Sequence, residues 1–258
     1  MEAIILAGGL GTRLQSVVAD VPKCMAPINN IPFISFIVKY LQNEGVTKFI
    51  FSLGYKSDIV INFLNEKFKD LDKEFVIETE PLGTGGAIKK ACEATTEEDV
   101  LVVNADTIFN IPLATLLAFH KYNKSNCTLA LKELHNFYRY GIVEYKSDYT
   151  IHKFKEKQFC EQGTINGGVY ALNVKEFISN DFPEKFSFEK DYLEKHVYEN
   201  KFYGLKFDHY FIDIGIPQDY KRFEEDYNFI LSKDYNKKNS VELEGVEFLF
   251  EAIASIFD

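Results

Sequence analysis

The residues best suited to chemistry lie at the start of the chain. Three glycines fall in the four positions 8–11 (Gly8, Gly9 and Gly11), followed by Thr12 and Arg13. Glycine lets the backbone take φ > 0 and approach a ligand closely. A glycine turn after a strand points successive N–H groups into one concavity, which suits phosphate. Thr12 adds a hydroxyl and Arg13 a fixed cation with five donors. A second glycine-rich stretch, Glu80-Pro-Leu-Gly83-Thr84-Gly-Gly-Ala87, leads into helical sequence and reads either as an N-capping turn or as a second ligand loop. Two aspartates, Asp106 and Asp213, each follow apolar strand-like residues. A strand that delivers a carboxylate is a common way to hold Mg²⁺, although a lone Asp at a strand end is more often a cap.

The elements that must position these residues follow from periodicity. Ala3–Ala7 is a short apolar run bounded by glycine, which predicts a buried strand. Further strands are predicted at 48–53, 74–78 and 99–107, with helices at 32–43 (closed by Gly45), 58–68, through Ala91, and at 112–124. Strand, helix, strand, helix, strand is the pattern of an α/β parallel sheet. Ligands in such sheets bind at the carboxyl ends of the strands, so the two glycine loops should meet at one crevice. Strands are expected at 127–132, 140–145, 151–157, 165–172 and 202–207, giving a smaller mixed-sheet lobe over 127–210. Ser187 opens a capped helix, and amphipathic helices are expected at 217–235 and 240–257.

Bulk properties exclude several classes. A net charge of −10 argues against non-specific nucleic-acid binding. No apolar run reaches membrane-spanning length, and no secretory signal opens the chain. Four dispersed cysteines read as reduced thiols in a cytoplasmic protein. Five scattered histidines form no metal spacing. The first loop lacks the Gly-Lys-Ser/Thr ending of a P-loop and the third glycine of the dinucleotide fingerprint.

With the next residues added, Gly8-Gly-Leu-Gly-Thr-Arg-Leu14 and Pro22-Lys23-Cys24-Met25-Ala-Pro27 resemble the signature of the sugar-1-phosphate nucleotidyltransferases, with Cys24 in place of a proline. Phe154-Lys-Glu156-Lys157, Asn166-Gly167-Gly168 and Asp213-Ile-Gly-Ile-Pro-Gln-Asp-Tyr220 match later motifs of that family in order. The resemblance implies a Rossmann-like α/β fold: a mixed, mostly parallel sheet flanked by helices, with no C-terminal β-helix. It implies one domain over 1–258, with a nucleotide-binding half at 1–126, a sugar-phosphate half at 127–216 and C-terminal helices at 217–258. By that resemblance Arg13, Lys23 and Asp106 are catalytic. Leu6, Ala7, Gly8, Gly9, Gly11, Thr12, Glu80, Gly83, Thr84 and Asn104 line the nucleotide. Gly141, Glu156, Lys157, Asn166 and Gly167 line the sugar phosphate; without the family, residues 154–157 would read as a solvated charge cluster. Asp106 and Asp213 hold Mg²⁺.

The implied substrates are a nucleoside triphosphate and a sugar 1-phosphate, with a homodimer left open. Guanine offers two adjacent donors, which one carboxylate can accept together, so GTP is the expected base, read by Glu80 and the backbone at Gly83. The Glu-Pro-Leu-Gly-Thr run and the compact chain are similar to heptose 1-phosphate guanylyltransferases, which implies a manno-configured heptose. Mannose 1-phosphate, or a thymidylyl or uridylyl transfer to a hexose 1-phosphate, are the alternatives. A cytidylyltransferase and an inactive nucleotide-binding regulator are the rivals.

Overall fold

The structure, a computed structural model, describes residues 1–9, 14, 18, 21–199, 201–231, 249, 250 and 253. In chain order its strands are β1 (Glu2–Leu6), β2 (Pro27–Ile28), β3 (Ile31–Pro32), β4 (Lys48–Leu53), β5 (Lys73–Ile77), β6 (Asp99–Asn104), β7 (Thr107–Phe109), β8 (Cys127–Phe137), β9 (Ile142–Tyr145), β10 (Ile151–Lys155), β11 (Cys160–Asn173), β12 (Phe202–Lys206) and β13 (Phe211–Asp213). The helices are α1 (Ile34–Asn43), α2 (Ser57–Lys67), α3 (Gly83–Ala91), α4 (Leu113–Asn123), α5 (Val174–Ile178) and α6 (Pro217–Leu231). Among the described residues no helix is long and apolar enough to cross a membrane.

The central order β5-β4-β1-β6 is parallel throughout. Strands β4, β1 and β6 are apolar on both faces, as buried parallel strands must be, while β5 at the edge stays half-exposed. Ala3 and Ile5 face one core with Phe49, Phe51, Leu101 and Val103, packed under α1, α2 and α4. Ile4, Ile50, Val100 and Val102 face the other, under α3, α5 and the segment 186–197. Strand β11 runs antiparallel to β6 over Val169–Asn173 and to β8 over most of its length. The strands expected in the smaller mixed-sheet lobe extend the same nine-stranded sheet, with β9, β10 and β12 on its margins.

Two further differences from the sequence reading have local causes. Strands β8 and β11 run longer than their apolar stretches, because Glu133–Phe137 and Cys160–Thr164 continue the ladder with half-solvated side chains. After Ser187, whose hydroxyl accepts from Lys190 N, the chain forms a widened helical turn, Phe188–Glu194, in place of the long helix expected. Of the two C-terminal helices, α6 is present to Leu231; Leu249, Phe250 and Ile253 are buried, and the rest lies outside the described residues.

Candidate active site

The site forms where a small ribbon meets the end of the parallel sheet. Strand β6 ends at Asn104, paired with Leu6 of β1. The turn that follows carries Asp106, and β7 then pairs antiparallel with β13 so that Thr107 lies opposite Asp213. Ile214 N donates to the Asp106 carbonyl at 3.0 Å. This ribbon brings together two aspartates that the sequence holds far apart. Lys23 reaches them from a single turn of 3-10 helix, Lys23–Met25. Behind that turn, Tyr220 of α6 donates its hydroxyl to the Pro27 carbonyl, pinning the lysine segment to the Asp213 side.

The Lys23 ammonium makes a close ion pair with Asp106 Oδ2 and lies 3.7 Å from Asp213 Oδ1. Thr107 Oγ1 donates to Asp106 Oδ1 at 3.0 Å, and Gly215 N donates to Asp213 Oδ1 at 2.7 Å. A Cβ at Gly215 would lie 2.7 Å from that oxygen and 2.9 Å from the lysine nitrogen, so the cluster needs glycine there. Burial raises the Asp213 carboxyl above its ordinary range, and the Asp106 charge raises it further against the pull of Lys23. Burial also raises the Tyr140 phenol, whose hydroxyl faces Asp213 Oδ2 at 3.4 Å. Next to Lys23, burial pushes the Cys24 thiol up to about 12, so it stays protonated and is no nucleophile.

Two carboxylates sharing one ammonium leave a surplus negative charge. Hard oxygen donors with that surplus suit Mg²⁺, which commonly takes one or two carboxylates and completes its shell with phosphate oxygens and water. Among the described residues no group of three or more His, Cys, Asp or Glu could hold a metal unaided. The donor set therefore fits a cation carried in with phosphate.

The two glycine loops do converge, through a residue the sequence reading did not single out. Glu78, just past β5, accepts from Leu82 N at 3.0 Å through Oε2. Its Oε1 lies 3.0 Å from where a Cβ on Gly8 would stand and 3.4 Å from Ser52 Oγ. Glu80 is exposed. Nothing in the residue types separates the two glutamates; the turn over 78–82 decides which one faces Gly8.

The remaining candidates divide. Leu6, Ala7, Gly8 and Gly9 follow β1 into the crevice, and Asn104 stands beside Gly168. Gly11, Thr12 and Arg13 lie outside the described residues. Gly83 has φ +72°, and a Cβ there would lie 2.5 Å from the Phe186 carbonyl. The Thr84 hydroxyl is committed to the chain: it donates to Glu189 Oε2 at 2.7 Å and accepts from Phe188 N at 2.9 Å. Asn166 is held likewise, donating to Tyr170 Oη at 2.8 Å and accepting from Gly168 N at 3.0 Å. Gly167 is buried against the Phe109 ring, and Gly141 backs onto the Lys155 carbonyl. Glu156 and Lys157 are exposed beyond β10; the Glu156 charge, with burial, raises the Glu194 carboxyl.

Known proteins resemble this chain along most of its length. The nucleotidyl transferase family matches residues 2–229. A D-glycero-alpha-D-manno-heptose 1-phosphate guanylyltransferase of Aneurinibacillus thermoaerophilus is 48% identical over 226 residues, 88% of this chain and 98% of that protein. One from Campylobacter jejuni is 45% identical over 225 residues, 86% of this chain and 98% of the relative. The crystal structure of HddC from Yersinia pseudotuberculosis complexed with GMP-PN superposes with a TM-score of 0.79 at 38% identity, covering 88% of this chain and 99% of that one. Motif order, relatives and fold agree, and the chain belongs to the nucleotidyl transferase family.

Proposed function

We propose that this chain is a guanylyltransferase that transfers GMP from GTP to a sugar 1-phosphate, D-glycero-D-manno-heptose 1-phosphate, with release of pyrophosphate. The observation that carries the reaction type is the Lys23–Asp106–Asp213 cluster beside the Gly8 crevice. The heptose and the guanine rest on the relatives named above. In the reaction a phosphate oxygen of the sugar 1-phosphate bonds to the α-phosphorus in line. The bond from that phosphorus to the bridging oxygen breaks, and pyrophosphate leaves with the electron pair. No protein nucleophile is needed, because positioning and charge neutralisation do most of the work in such transfers.

The backbone at Gly8 and Gly9 orients the triphosphate, with Gly11, Thr12 and Arg13 continuing that loop. Lys23 moves from its carboxylate partners to the phosphates and neutralises charge that develops there. Asp106 and Asp213 would hold Mg²⁺, which would supply charge neutralisation for the phosphates. Glu156, Lys157 and Asn166 bind the sugar phosphate. For the base we assign Glu78 in place of Glu80, because Glu78 is fixed by Leu82 N beside Gly8, where its Oε1 has only a long 3.4 Å contact from Ser52 Oγ to give up to guanine donors. Thymine and uracil would set carbonyl oxygens against it.

The test is pyrophosphate release with GTP, dTTP, UTP and CTP against heptose and mannose 1-phosphates. GTP with the heptose phosphate should give the highest kcat/KM. Better use of dTTP or UTP at equal concentration would refute the base assignment. Glu78→Gln should lower kcat/KM for GTP by at least about tenfold, the usual weight of a charged hydrogen bond, whereas Glu80→Gln should leave it unchanged.

A further inference from the structure

One charged chain leads away from the cluster through Arg139 and Tyr140, which lie outside the family motifs quoted above. Asp219, in the first turn of α6, makes a close ion pair with Arg139. Both side chains are largely buried, 17% and 23% exposed. The Arg139 guanidinium lies over the Tyr140 ring, 5.1 Å from its centroid, and Nη2 donates to the Tyr140 hydroxyl at 3.1 Å. That hydroxyl in turn faces Asp213 Oδ2 at 3.4 Å. The Tyr140 ring is wedged edge-on against Phe211 of β13, centroids 6.1 Å apart.

The two oxygens of Asp213 are therefore treated differently. Oδ2 meets the phenol, while Oδ1 takes Gly215 N and turns toward Lys23 and Asp106. A carboxylate free to rotate would offer either oxygen to a cation; one held from behind offers the same oxygen each time. Partners behind a ligating carboxylate commonly set metal affinity in this way. Arg139 is well suited to hold the phenol, because its Nη2 donates to Asp219 and Tyr140 at once while the planar guanidinium lies over the Tyr140 ring, a stacking that an ammonium does not reproduce.

We infer that Tyr140 is a positioning residue for Asp213, locked in place by the Arg139–Asp219 ion pair, and that this relay from α6 fixes the oxygen that Asp213 presents to the catalytic cation. The inference rests on the reading of Asp213 as a metal-holding residue. It places no substrate contact on Tyr140, Arg139 or Asp219.

Tyr140→Phe removes the hydroxyl and keeps the ring against Phe211. The measurement is Mn²⁺ binding to the enzyme–GTP complex without sugar phosphate, followed by electron paramagnetic resonance. Tyr140→Phe should weaken Mn²⁺ binding about tenfold, the lower end of the range for such outer partners, with metal-free GTP binding and melting temperature unchanged. Arg139→Lys should weaken it in the same direction, and Tyr140→Phe should add no further loss of turnover in an Asp213→Asn background. Unchanged Mn²⁺ titrations in both Tyr140→Phe and Arg139→Lys would overturn the relay, as would a further loss in the Asp213→Asn background. Asp213→Asn alone separates the two levels. If it binds Mn²⁺ like the parent, the metal reading itself has failed; if it is impaired while Tyr140→Phe is normal, only the relay has.

Discussion

Strand β6 has an aspartate at its start and another just past its end, and the two live in opposite surroundings. Asp99 Oδ1 accepts from Asn173 Nδ2 at 2.8 Å and faces His120 Nε2 at 3.3 Å. The other ring nitrogen of His120 lies 3.0 Å from Thr128 Oγ1, and the imidazole is 1% exposed. Both ring nitrogens of His120, the Thr128 hydroxyl and Asp99 Oδ1 meet partners inside the chain. At the far end Asp106 and Asp213 divide a single ammonium. One end is finished; at the other, among the described residues, two carboxylates share the single ammonium of Lys23. Local rules are most often broken where a protein works, and here residue type alone does not separate the two aspartates. The completeness of the pairing does.

The largest expected effect lies at the unfinished end. Lys23→Ala and Asp106→Asn should each lower kcat for pyrophosphate release by about 10²–10³, the usual cost of losing one contact to developing charge. Circular dichroism should show both variants folded. Turnover within about twofold of the parent in either would remove that residue from the chemistry and weaken the contrast between the two ends.

How much of this was legible beforehand varies with the physics of each part. Strands β1, β4 and β6 were plain because strands buried on both faces are unbroken apolar runs. The Ser187 cap was plain from its spacing. The continuity of the sheet through β11 was not, since pairing partners are set by register between distant segments, and Val169–Asn173 carries no mark that it will join β6. In the site, Lys23, Asp106 and Asp213 were found through family motifs. The ribbon that joins the aspartates is only three residues per strand, too short to show a period. Glu80 was named and Glu78 was not, because a turn, not a pattern, sets which of the two lies beside Gly8. Thr84 was read as a ligand contact, yet its hydroxyl ties α3 to the segment at 188–189.

At the finished end the expected change is in stability. His120→Leu leaves the fully buried Thr128 hydroxyl without its imidazole partner and Asp99 with one contact fewer. Leaving a buried polar group unpaired costs about 1–3 kcal/mol, to be read as a lower urea midpoint with an unchanged slope. The kcat of the folded variant should match the parent. A His120→Leu enzyme that was fully stable but slow would reverse the roles assigned to the two ends.

The smallest effect is the most discriminating, because acid should push the two ends in opposite directions. Burial lowers the His120 pKa below its ordinary 6.5. Between that value and the folded one, the unfolded chain binds the proton and the folded chain does not. The contribution of His120 is therefore complete above the unfolded pKa and is lost as pH falls through and below it. Asp213 has the reverse sign. Its folded pKa lies above the ordinary 3.8, so as pH falls through the folded value the folded chain binds the proton first, and stability rises relative to a chain without the shift. Ionised Asp213 is thus a net cost to the metal-free fold. Asp213→Asn should then stabilise the metal-free protein at neutral pH by on the order of 1 kcal/mol, as relief of a strained active-site charge often does. The asparagine carbonyl can still accept from Gly215 N. The same substitution should abolish most turnover. Urea titrations of the metal-free parent, His120→Leu and Asp213→Asn at several pH values from neutrality downward would show it: His120→Leu should flatten the acid loss, and Asp213→Asn should steepen it. Destabilisation by Asp213→Asn at neutral pH would mean that the Lys23 pairing outweighs burial and repulsion, and that the carboxylate cluster is as finished as the network around Asp99.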